Sequence, residues 1–227
     1  MDKFFKNINY NKNNYETILD LGNKYKNKKI NILLVKKLLI EIDKKFYSNK
    51  LFKYLKNIIG KKYKLNIINS TLHDCYGEIS FENSKFNLYL SLDRIIDNKN
   101  NMKNDEYFFS GGYITKNSII FLILILLHET LHMIEFLDTS YVNIEYHCVN
   151  FYKYGYKIFG MSSIYSDLIT INDINNKDSY DIIKYEMQLQ KCRKKISNGS
   201  DKLKDYYDYY NKDGSLEVLK YKVQKII

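Results

Sequence analysis

The sequence predicts an α+β fold. Helical N- and C-terminal extensions flank a core that joins a small antiparallel sheet to one long apolar helix. Three observations carry this. Apolar residues recur at helical spacing at Ile32, Val35, Leu39, Ile42 and Phe46. Two β-prone runs, 76–81 and 86–92, are joined by Glu82-Asn83-Ser84-Lys85, a hairpin-like turn. Residues 119–127 are unbroken apolar sequence, and the bias continues to Leu137.

The elements follow in chain order. Residues 1–28 are rich in Asn and Lys and poorly periodic, which predicts a basic, loose arm with a short helix around 15–21. Residues 30–47 form a helix that turns Lys36, Lys37, Lys44 and Lys45 away from its apolar face. A second short helix covers 51–59 and stops at Gly60. Strands follow at 65–69, 76–81 and 86–92. Residues 97–116 are polar and contain Gly111-Gly112, which predicts a long loop. The apolar helix spans 117–137, with further helices at 143–159 and 180–197. Residues 216–227 form a strand or a helix. The expected boundaries are a basic arm at 1–28, a core domain at 29–165 and a Lys/Tyr-rich extension at 166–227.

Composition narrows the functional classes. With 227 residues, 45% hydrophobic and 27% charged, the chain can bury a core, which excludes wholesale disorder. Its three cysteines, Cys75, Cys148 and Cys192, contain no CxxC pair, which excludes a disulfide scaffold and a four-Cys zinc ribbon. No apolar leader is seen near Met1, so an intracellular, reducing compartment (cytoplasm or nucleus) is expected rather than secretion. The net charge of +10 is uneven: residues 1–65 carry +12, residues 66–180 carry −6 and residues 181–227 carry +4. Two readings of the basic ends stay open, a polyanion contact and lysine used for solubility. The apolar helix is interrupted by His128, Glu129, His132 and Glu135, so it reads as a core helix with a polar site, and no membrane partner is expected.

That helix carries the chemistry. His128-Glu129-Thr130-Leu131-His132 is an H-E-x-x-H motif. Positions i and i+4 share a helix face, so both imidazoles can bind one Zn2+ ion, with Glu129 beside them as general base toward a water. With four histidines in 227 residues, chance yields the bare pattern at about 0.3%. Burying two histidines and a carboxylate is costly unless something pairs them, and a metal does so. A catalytic zinc needs a third protein ligand. The positions where a metzincin would place it hold Glu135 and Asp138, which excludes that class. His147, on the next predicted helix, is the preferred candidate, and Glu145 is the competitor. His73 reads as a strand-end histidine, and Cys148 as a small buried residue.

The motif, followed by 14 residues, His147 and then Phe151, resembles the SprT-like metalloprotease domain of the Spartan DNA–protein crosslink proteases and bacterial SprT. Leu127 matches the "LLHE" lead-in. Phe46-Tyr47-Ser48-Asn49-Lys50-Leu51 is similar to "F-F-x-G-x-L", and Gly77 with Leu90-Ser91 to the "G-x-C … I-x-L-S" hairpin. The resemblance runs from about residue 30 to 160. It implies a zincin-like core and a zinc protease, with His128, His132 and His147 as metal ligands and Glu129 as base. It also implies a role in repair, on proteins crosslinked to DNA. The chain departs from the family in carrying Cys148 where Gly is usual and in lacking a four-Cys zinc-binding region. The Lys/Tyr-rich segment 180–227 stands in that region's place. Its lysines and tyrosines, with the basic N-terminal region, are the candidate surfaces for single-stranded DNA.

Overall fold

Asn31 begins the first long helix by accepting a hydrogen bond from the Leu34 N–H at 2.9 Å, an N-cap that satisfies one of the helix's orphan donors. The computed structural model describes residues 2–6, 8, 14–138, 149–161, 166–170 and 224–226. Helices α1 (Asp2–Phe5), α2 (Asn14–Tyr25), α3 (Ile32–Phe46) and α4 (Leu51–Ile59) come first. Leu34, Val35, Leu38, Leu39, Ile42 and Phe46 form the buried face of α3, at the spacing the sequence predicts. The corner into α4 is built on Asp43, whose Oδ1 accepts the Leu51 N–H at 2.8 Å. The Asp43 carbonyl accepts from the Tyr47 and Asn49 amides. Gly60, at φ 79°, ends α4 where a side chain would be strained.

The described part of the N-terminal segment is packed on the core rather than loose. Phe4, Phe5, Ile8, Ile18 and Leu21 are buried, and α2 runs longer than the short helix expected there. Phe5 stacks on Tyr154 with ring centroids 3.9 Å apart, and Phe4 lies against Tyr47 and Tyr54. A high Asn and Lys content hid a few large apolar residues that suffice to dock the segment.

The first sheet holds β1 (Lys64–Asn69), β2 (Gly77–Glu82) and β3 (Lys85–Leu90) in the order β1-β3-β2. β2 and β3 form the expected hairpin, with Asn83 and Ser84 both at positive φ, as a two-residue primed turn requires. The sheet is mixed rather than antiparallel. β1 runs parallel to β3, with Leu65 opposite Phe86 and Asn69 opposite Leu90. The connection at 70–76 crosses the C-terminal end of β3, where the Ser70 N–H donates to the Leu90 carbonyl, so β1 and β2 flank the same strand.

Residues 97–116 are not a loop. Helix α5 (Leu92–Asn101) is followed by β4 (Glu106–Ser110) and β5 (Tyr113–Thr115), with Gly111 and Gly112 at φ 61° and 87° in the turn. Two adjacent glycines suit a hairpin turn as well as a loop, and the buried Phe108, Phe109, Tyr113 and Ile114 flanking them decide the matter. A second sheet results, in the order β6-β4-β5-β7. It takes β6 (Ser166–Thr170) and β7 (Gln224–Ile226) from the stretch expected as an extension. The helix expected at 180–197 lies outside the described residues.

Helix α6 (Ser118–Asp138) runs through the core, and α7 (Val149–Phe159) packs on it. Asn117 Oδ1 accepts from the Ile119 N–H at 2.9 Å, opening α6. Every residue from Ile119 to Leu127 is buried. By length and composition α6 could span a bilayer, but 83% of the relevant window is buried inside the protein, which identifies a core helix.

Candidate active site

Midway along α6, His128 and His132 stand one turn apart. Their ring centroids are 5.0 Å apart, with planes at 67°. Both rings touch Phe151 of α7, at 4.8 Å from His128 and 4.5 Å from His132. Val149, where α7 begins, follows His147 by two positions.

His132 Nδ1 lies 2.9 Å from Glu135 Oε2, and the Glu135 side chain is fully buried. With Nδ1 donating its proton to this carboxylate, Nε2 keeps its lone pair for a metal. Glu135 and Asp138 both follow the motif closely enough in sequence to serve as such acceptors. Glu135 has the contact, and the Asp138 side chain lies outside the described residues.

Glu129 is buried, and burial pushes its carboxyl up to about 7. The neighbouring His132 opposes this rise, and Glu78 adds to it. Gly77, at the start of β2, is what lets the sheet come so close. A Cβ at that position would stand 2.6 Å from Ile125 Cγ2 and 3.0 Å from Glu129 Oε1. Cys75 also neighbours the site: burial raises its thiol pKa, and the charges of Glu129, Glu78 and Asp74 raise it further.

The next residue along the motif is tied down from the far side. Thr130 Oγ1 donates to the Leu127 carbonyl at 2.8 Å, so its remaining contact, with the Tyr47 hydroxyl at 2.8 Å, has Tyr47 as donor. Both side chains are fully buried. The loop before Gly77 is held by α5. Arg94 donates to the carbonyls of His73 and Cys75 and lies over the Tyr76 ring at 4.2 Å, and Ser91 Oγ accepts from the Leu72 N–H. His73 itself is exposed.

Two imidazoles on one helix face, one of them oriented by a carboxylate, fit zinc as a donor set. Among the described residues no group of three or more His, Cys, Asp or Glu side chains could hold a metal. His147 and its competitor Glu145 lie outside the described residues, as does Cys148. Sequence reading missed the Tyr47–Thr130 bond and the Arg94 contacts, which join segments far apart in the chain and leave no local pattern. No family model, characterised protein or solved structure matches the chain.

Proposed function

We propose that this chain is a zinc-dependent endopeptidase of the SprT-like type, with a zincin-like core, acting on DNA-associated or DNA-crosslinked proteins. The observation that carries the reading is the pairing of His128 and His132 on one face of α6, with ring centroids 5.0 Å apart, beside the buried carboxyl of Glu129. His128, His132 and His147 would hold the metal. Zinc, when bound, supplies Lewis acidity toward water and the scissile carbonyl.

The chain's own residues do the rest. Glu129 takes a proton from the attacking water and passes it to the leaving amine. Glu135 fixes the ring orientation and tautomer of His132. β2 is one of the two edge strands of its sheet among the described residues, and it begins beside Glu129. An extended peptide added to that edge would run past the carboxylate.

The missing four-Cys region favours a second reading, a zinc peptidase that does not depend on nucleic acid. One experiment separates them. Wild type and Glu129→Ala, both loaded with zinc, are incubated with a DNA-binding protein, with and without single-stranded DNA. Cleavage by wild type alone, and only with DNA, supports the first reading. Cleavage regardless of DNA supports the second. Equal cleavage by the two proteins removes Glu129 from the mechanism, and no cleavage by either, with zinc bound, leaves a non-catalytic, zinc-stabilised binding module.

A further inference from the structure

The outward face of α3 combines exposed aliphatic side chains with a lysine flank on either side. Leu33 and Ile40 are 61% and 64% exposed, which sets them apart from the buried aliphatic residues of the same helix. They are seven positions apart and therefore lie in one row. Lys36, Lys37 and Lys44 are exposed too. At 100° per residue all five side chains fall within an arc of about 100°, with the aliphatic pair near its middle and lysines on both sides.

Neither α3 nor the segment leading into it supplies a free acidic side chain to this row. Residues 21–40 contain six lysines and no Asp or Glu. Of the two acids on α3, Asp43 is buried, and Glu41 is bound to Lys24 at 2.5 Å, with a further contact from the Tyr25 hydroxyl. The opposite face of α3 is packed into the core, so the helix lies flat on the protein with its lysine and aliphatic row outward.

We propose that this face docks the protein peripherally on an anionic phospholipid surface. The lysines meet headgroup charge, while Leu33 and Ile40 enter the boundary between headgroups and acyl chains. Charge complementarity selects this occupant. A second copy of the chain would bring lysines against lysines in a two-fold contact. A phosphate backbone would engage the lysines but gain nothing from two aliphatic side chains at the centre of the row. A bilayer interface uses both. The sequence expectation of no membrane partner rested on the lack of a spanning segment, which a peripheral contact does not need. The inference is independent of the proposed protease activity.

The test is sedimentation of the full chain with vesicles of phosphatidylcholine alone, or containing about 30% phosphatidylserine. Binding to the anionic vesicles should exceed binding to the neutral ones by at least about tenfold and fall as salt rises. Leu33→Ser with Ile40→Ser should weaken it about tenfold, and Lys36→Glu with Lys37→Glu should abolish it. All four positions are exposed, and an unchanged melting temperature shows that each variant is folded. The chain has no tryptophan, so Leu33→Trp provides a single reporter whose emission should shift to the blue on anionic vesicles. The proposal is overturned by no preference for anionic vesicles, by undiminished binding of the serine variant or by an unshifted tryptophan. Lysine-dependent binding to duplex DNA without vesicle binding also overturns it and assigns the face to nucleic acid.

Discussion

Gly77 and Glu129 come from different elements, and their close approach leaves no room for a side chain at 77. A methyl group at 77 would collide with Ile125 and crowd the Glu129 carboxylate. Gly77→Ala should therefore cost about 1–3 kcal/mol in urea unfolding and lower kcat more than that loss explains. Tyr47→Phe is a milder probe. It removes the donor to Thr130 Oγ1 but leaves Thr130 donating to Leu127. About 1 kcal/mol of stability should go, with zinc content unchanged by metal analysis. At this scale the sequence was half legible. His128, Glu129 and His132 announce themselves because a helix brings i and i+4 together whatever surrounds it. The closeness of Gly77 to Glu129 depends on how a sheet packs on a helix, and no local spacing encodes that.

Helix junctions carry the next set of consequences. At the crossing of α2 and α6, a Cβ on Gly22 would overlap Cγ1 of Ile120. Gly22→Ala should destabilise by about 1–3 kcal/mol. Adding Ile120→Ala should cost less than the two single changes together, with a coupling of at least about 0.5 kcal/mol in a double-mutant cycle. At the corner of α3 and α4, burial raises the Asp43 carboxyl above its ordinary range, against the lowering pull of backbone amides led by Leu51. A raised pKa in the folded state means that folding favours the protonated form. Stability is therefore lost as pH rises from the ordinary carboxylate range, about 4, through the folded value. Asp43→Asn keeps an oxygen for the Leu51 amide, so its stability relative to wild type should climb over that window in urea titrations. α3, α4, the hairpin of β2 and β3, and α6 were all visible as periodicity, caps or turn residues. The second sheet was not, because its short β4 and β5 strands sit in polar sequence and its partner strands lie far along the chain.

Across the whole molecule, the N-terminal segment and the candidate site are joined through aromatic contacts. Phe5 stacks on Tyr154 of α7, and the same helix rests Phe151 on both histidines. Phe5→Ala should cost about 3 kcal/mol or more in thermal unfolding and weaken zinc retention, although residue 5 is remote in sequence from the motif. A reading of residues 1–28 as a loose arm with a short helix could not anticipate this, because composition averages over the few side chains that pack. Helix α6 has a related consequence. It carries the motif at its middle, directly after the run Ile119–Leu127, in which every residue is buried. Many proteins open their working parts by local fluctuations far cheaper than global unfolding. Here the backbone that presents His128, Glu129 and His132 continues directly from the buried run Ile119–Leu127, so freeing it should mean dismantling the core. Amide hydrogens at 128–132 should exchange with deuterium only through global unfolding, and on heating the chain should lose its chemistry and its fold as one event.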